Sequence, residues 1–199
     1  MLNTIKMANI VAIFFCLLYY HFMRVVAGKY RGKILKDFEL ESTKPTTDRV
    51  KESIFNLIQF DVNGAVVLDL FAGTGALGIE SISRGAKTTY FVDANPKAIE
   101  IITSNLNSID GEYFVEKIDF QSYLKNTKNK FDIIFLDPPY KTDLGLKAIN
   151  MIIENNLLKD EGIIIFETSE ENNFELAYQG FDIKKKKYGK IIVFKMVKI

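Results

Sequence analysis

Compact apolar runs recur along this chain, and each stops at an acidic residue or a turn. Residues 65–71 (AVVLDLF) form the first, and residues 88–92 follow, closed by Asp93. Residues 113–118 are closed by Asp119, residues 131–136 by Asp137, and residues 162–166 (GIIIF) by Glu167. The runs over 65–71 and 162–166 read as buried strands, as in a mostly parallel sheet covered by helices. The intervening stretches carry apolar residues at helical spacing. One helix is expected from about residue 76 to Arg84, closed by Gly85, another opening at Asn95 and Pro96, and a third over residues 144–158. Residues 181–188 and 190–197 meet tightly at Tyr188-Gly189 and predict an antiparallel hairpin. Five strand–helix alternations followed by that hairpin give an α/β fold, mostly parallel with an antiparallel edge.

Upstream of this pattern the chain changes character. Residues 10–22 (IVAIFFCLLYYHF) are almost wholly apolar, yet shorter than the roughly 20 residues of a membrane-spanning helix. A signal or anchor, a buried helix, and an extension lying before the true start at Met23 are the three readings. The third is the expectation, giving an extension over residues 1–22 and one domain over 23–199. Residues 24–35 (RVVAGKYRGKIL) then predict a short hairpin or basic loop. Lys44-Pro45-Thr46-Thr47-Asp48 predicts a rigid turn and a helix start capped by Thr47 or Asp48. In that helix Val50, Ile54, Leu57 and Ile58 make the buried stripe, with Arg49, Lys51 and Glu52 off it.

Composition narrows the chemistry. The 199 residues are 48% hydrophobic and 26% charged, enough for one well-filled domain. Net charge is only +1, but two basic clusters stand out: Arg24, Lys29, Arg31, Lys33 and Lys36, then Lys184 to Lys187 with Lys190. Cys16 is the only cysteine, so an internal disulfide is impossible, and His21 is the only histidine. A zinc site is therefore not expected, nor a Ser-His-Asp triad.

Gly73, Gly75 and Gly78 match a G-x-G-x-x-G turn between a strand and a helix, which signals nucleotide binding. Asp69 lies beside that turn, where a carboxylate would repel the pyrophosphate of NAD. It suits instead a ligand with an amino group and a sulfonium, both present in S-adenosylmethionine. Asp93 is placed to accept ribose hydroxyls, and Asp119 an adenine amino group. The fourth strand ends in Asp137-Pro138-Pro139-Tyr140, where prolines forbid further ladder pairing. A carboxylate, a turn rich in acceptors and an aromatic ring at that strand's carboxyl end suit a flat base with an exocyclic amine.

These stretches together resemble the bacterial small-subunit (16S) rRNA guanine-N2 methyltransferases of the class I S-adenosylmethionine-dependent fold. The resemblance runs over roughly residues 24–197. It rests on RVVAGKYRGKIL, KPTTDRVKESIFNLI, VLDLFAGTGALGIESISRGA, FVDANPKAI and FDIIFLDPPY. It implies a Rossmann-like sheet of seven strands in the order 3-2-1-4-5-7-6. It also implies that Asp69, Phe71, Gly73 and Gly75 line the methionine part of the cofactor, that Asp93 holds the ribose and Asp119 the adenine. Thr47, Asp48 and Arg49 would belong to the element that closes over the cofactor. Asp137, Pro138, Pro139 and Tyr140 would act on the base, and Arg24, Lys29, Arg31 and Lys33 would hold RNA phosphates. The implied partner is 16S rRNA or an assembly intermediate of the small subunit, in the cytoplasm and without a metal. DNA adenine or a protein glutamine is the alternative target. An NAD-dependent oxidoreductase and a membrane-tethered RNA-binding protein are the rival classes.

Overall fold

A computed structural model describes residues 23–38, 48–139, 142–169 and 175–199. The apolar stretch 10–22, Thr47 and Tyr140 lie outside the described residues. In chain order come α1 (Asp48–Leu57), β1 (Val66–Leu70), α2 (Ala76–Ser83), β2 (Thr88–Asp93), α3 (Pro96–Leu106) and β3 (Glu112–Lys117). Then follow α4 (Phe120–Asn126), β4 (Phe131–Leu136), α5 (Leu144–Glu154), β5 (Leu158–Ser169), β6 (Phe181–Tyr188) and β7 (Ile191–Lys198). The seven strands form one sheet in the order β3-β2-β1-β4-β5-β7-β6, as the resemblance implies. β1 to β5 run parallel, and β7 is antiparallel to both β5 and β6.

Each face of the sheet is sealed by helices. Leu68, Leu70, Ile134, Leu136, Ile164 and Phe166 pack with Tyr123 and Leu124 of α4 and with Ala148, Ile149 and Ile152 of α5. On the other face Val67, Ile133, Phe135 and Ile165 pack with Val50, Ile54 and Phe55 of α1 and Leu77 of α2. Burial on both sides is what makes these strands so largely apolar. At the amino-terminal end of the strands, Asp132 of β4 accepts from the Val66 amide, 2.7 Å away and 66 residues back in the chain. Lys159 of β5 completes this tie through the same oxygen at 2.7 Å.

Three expectations need correction. The third helix ends at Glu154 rather than at residue 158, because Asn156 takes a positive φ of 50° and turns the chain. The chain from Leu158 onward is already β5, entering with a register shift opposite Phe131. Helix α4 has no counterpart among the predicted elements; its seven residues are too few to show a period. Lys51, expected off the buried stripe of α1, is in fact 1% exposed.

Candidate active site

The carboxyl ends of β1, β2 and β4, with the turns that follow β3 and β4, surround a cavity of about 690 Å³. Asp69, Phe71, Gly73, Asp93, Asp119, Asp137, Pro138 and Pro139 all contribute to its wall. The structure thus brings together every described member of the cofactor and catalytic sets except Gly75, which caps α2 just behind the wall with φ 77°.

Parallel strands end their ladders on one rim, so residues far apart in sequence converge there. After β1 the chain must turn sharply into α2. Phe71 does so with φ 67°, a strained value for an aromatic residue and one that recurs at functional sites. Its ring packs on Phe120, centroids 5.0 Å apart, making an apolar wall. Gly78 lets the helix approach the sheet closely: a Cβ there would stand 2.2 Å from the Phe91 ring. That approach brings the Gly78 amide within 2.8 Å of Asp69 Oδ2. Asp93 likewise accepts from the Gly73 amide at 2.9 Å and the Asn95 amide at 2.8 Å, which holds its carboxylate against the glycine turn. Asp119 accepts from Ser122 at 2.9 Å and is the N-cap of α4, with its carboxyl held below the usual range by that amide.

Behind the Asp-Pro-Pro turn, Gly145 of α5 lies so close that an added Cβ would meet Phe166 at 2.3 Å and Pro138 at 3.1 Å. Thr142 donates to the Pro139 carbonyl at 2.7 Å. Helix and hydroxyl together fix the turn, with Asp137 half-buried, Pro138 buried and Pro139 exposed.

The site is electrostatically one-sided. Asp69 is buried, and loss of solvent pushes its carboxyl up to about 8. The Gly78 amide opposes this shift, whereas the charges of Asp137 and Asp93 add to it. A ligand bringing positive charge would relieve all three acids at once.

Sequence reasoning missed several wall residues: Met23, Asp37, Phe38, Lys51, Phe120 and Leu144. Lys51 is the surprise. Its ammonium donates to the Arg24 carbonyl and stands 3.7 Å from Glu80, which is wholly buried. Burial pushes the Lys51 ammonium down and Glu80 opposes that shift. Glu80 also accepts from the Val26 and Ala27 amides at 2.7 and 2.9 Å and from Arg84 Nε at 2.8 Å. One carboxylate thereby docks residues 24–35 onto α2. No sequence motif marks it.

That docked segment is a tight antiparallel loop, with Val25 donating to Lys33 at 2.9 Å and Leu35 to Met23 at 2.8 Å. Its cations are placed less openly than their sequence cluster implies. Arg24 pairs with Asp48 at 2.8 Å, Lys29 with Asp110 at 2.9 Å, and Lys33 donates to the Asn107 carbonyl at 2.6 Å. Arg31 is exposed. The loop's ends reach the cavity. Its tip instead lies beside Ser83 at the close of α2 and beside Asp110 before β3, on the opposite rim of the sheet.

The family described as Conserved hypothetical protein 95 matches residues 23–197. The chain belongs to that family. Among the chain's relatives is "Putative rRNA methyltransferase YlbH" of Bacillus subtilis, 42% identical over 75% of this chain and 84% of its own length. Ribosomal RNA small subunit methyltransferase D of Haemophilus influenzae is 36% identical over 75% and 80%. The solved structure of yhhF from Escherichia coli superposes with a TM-score of 0.81 at 28% identity, covering 89% of this chain and 98% of that one. The family is the one the sequence motifs resemble, and its fold is that of S-adenosylmethionine-dependent methyltransferases. S-adenosylmethionine is the cofactor. The cavity fits it: the carboxylates on the wall suit a ligand with positive groups, and the Phe71 and Phe120 rings offer an apolar wall. Among the described residues no helix is long and apolar enough to cross a membrane.

Proposed function

We propose that this protein transfers a methyl group from S-adenosylmethionine to the exocyclic N2 amine of a guanine in small-subunit rRNA, in the cytoplasm. The carrying observation is the convergence of Asp137 and Pro138 with Asp69, Asp93 and Asp119 on one cavity. The rRNA assignment draws on relatives whose names state it.

Bound S-adenosylmethionine supplies an electrophilic methyl on a sulfonium. The protein's task is to make a poor nucleophile attack it. A guanine N2 lone pair is delocalised into the ring. Asp137 and the Pro138 carbonyl accept the two N–H bonds, which draws the nitrogen toward tetrahedral geometry and turns its lone pair to the methyl. Proline has no N–H, so this part of the turn presents acceptors only. As the N–C bond forms and the C–S bond breaks, the nitrogen sheds one proton to Asp137 or to solvent. Such alignment removes several kcal/mol from the barrier, up to about 7–11 in ideal cases. Tyr140 stacks on the extruded base, a contact worth about 1–3 kcal/mol. Thr47 closes over the cofactor, Asp69, Phe71, Gly73 and Gly75 hold its methionine part, Asp93 its ribose and Asp119 its adenine. Arg24, Lys29, Arg31 and Lys33 add sequence-blind phosphate contacts. Arg31 carries most of these, since the other three already hold partners within the chain.

The test is methylation of unmodified small subunits or their rRNA with labelled S-adenosylmethionine. Label is expected in N2-methylguanosine. Label in DNA adenine or in protein glutamine would replace the substrate and keep the chemistry.

Cofactor binding should also release a proton. With its carboxyl at about 8, Asp69 is mostly protonated at pH 7 in the empty protein, and a cation beside it favours ionisation. Affinity is therefore expected to rise with pH, by up to about tenfold per unit below 8, and then level off. Calorimetry in buffers of different ionisation enthalpy reads the proton directly. A flat pH profile would mean that Asp69 is already ionised. In the empty protein the sign is opposite: a raised carboxyl makes folding stability fall as pH climbs from about 4 towards 8.

A further inference from the structure

The strand register shows where the second lysine cluster stands. Leu136, the last residue of β4, is paired with Phe166 of β5. Phe166 is paired with Phe194 of β7, and Phe194 with Lys185 of β6. Asp137 is one position further out than Leu136, so Lys186 stands level with it. Lys187 and the turn at Gly189-Lys190 extend beyond. The chain reverses twice after β5, which returns the β6–β7 turn to the same rim as the catalytic turn. Three inter-strand steps separate the two, about 14 Å. The tip of the loop 24–35, by contrast, lies on the opposite rim.

Lys184, Lys185, Lys186, Lys187 and Lys190 are all exposed. Lysines on an edge strand also discourage pairing with other chains. That purpose would be served anywhere along β6, yet its far end, Phe181-Asp182-Ile183, carries none. The cations are gathered at the catalytic end and continue into the turn.

We propose that Lys186, Lys187 and Lys190 form the phosphate-binding rim of the active site, gripping the RNA backbone a few nucleotides from the target base. This rests on the rRNA reading above. The occupant is a polyanion because five exposed lysines stand along the outer half of β6 and its turn, and RNA must lie along this rim for one of its bases to enter the cavity beside Asp137. Lysine ammoniums act as point charges on phosphates and read no sequence. They hold the flanking strand while the base is drawn out.

The experiment replaces all three by glutamine in the full chain and measures affinity for unmodified small-subunit rRNA against salt concentration. Loss of three phosphate contacts should flatten the slope of log affinity on log salt by about 2, and weaken binding near 0.1 M salt by about 10²-fold. Cofactor affinity should not change, which shows that the variant is folded. The triple arginine variant should restore the slope. Lys29→Gln with Lys33→Gln should flatten it by less than half as much. An unchanged slope in the glutamine variant, beside normal wild-type RNA binding, would overturn the proposal. So would a defect seen on assembled subunits but not on naked rRNA, which would make the partner a ribosomal protein. Wild-type protein with no affinity for rRNA in either form would instead sink the rRNA reading itself.

Discussion

Asp137→Ala is expected to lower kcat by at least about 10²–10³-fold, the scale for removing one group aimed at a reacting centre. The loss should fall on kcat, because the carboxylate acts on an amine whose geometry changes only as the methyl transfers. Cofactor affinity should hold or improve slightly. The Asp137 charge is one cause of the raised Asp69 carboxyl, so its removal makes Asp69 easier to ionise beside a cation. Asp137→Asn keeps one acceptor oxygen and should retain part of the activity. Single-turnover methyl transfer combined with cofactor titration separates these effects. A large loss of cofactor affinity in Asp137→Ala would assign this residue to cofactor binding instead.

Glu80→Ala should cost stability rather than chemistry, by about 3–5 kcal/mol. Its carboxylate is wholly buried among Lys51, Arg84 and the amides of Val26 and Ala27. Truncation leaves a buried ammonium without its counter-charge and two backbone donors without their acceptor. The ordinary stability of a domain is only about 5–15 kcal/mol. Thermal unfolding should therefore move down by about 6–20 °C in a protein of this size. Glu80→Gln, which retains an acceptor oxygen but loses the charge, should fall between. Lys51 stands on the cavity wall and donates to the backbone at Arg24, so cofactor affinity is expected to suffer along with the docking of the loop. Denaturant titration with and without cofactor reads both. Unaltered stability in Glu80→Ala would show that water supplies the missing acceptors.

The parts of this molecule that can be read from sequence are those where one physical demand dominates. Strands buried on both faces must be largely apolar, and a carboxylate at or beside the carboxyl end of such a strand marks the binding rim. β1, β2 and β4, with Asp69, Asp93 and Asp137, are legible for that reason. The order of the strands is not a matter of pattern, since hydrophobicity says nothing about which strand is central, and it enters through resemblance. Lys51 is misplaced by sequence because residue type predicts exposure for a lysine. What buries it is Glu80 on another helix, and pairing across helices leaves no local trace. Asp119 reads as closing a strand and facing the cavity, and it does line the wall, but it also caps a helix too short to announce itself. The basic clusters are visible as composition only. Which of them shares a rim with the catalytic turn is a question of register and chain reversal.

The bond from Asp132 to Val66 sets a schedule for the protein's own synthesis. β1 is the middle of the parallel sheet, yet its partner on one side is made 66 residues later. At about 5–20 residues per second, roughly 3–13 seconds separate the two on the ribosome. By the end of that interval β2 and β3 have been made and can cover one flank of β1, while its other edge is still open. The nascent chain is most exposed to misassociation in that window, and a pause between residues 70 and 131 would lengthen it.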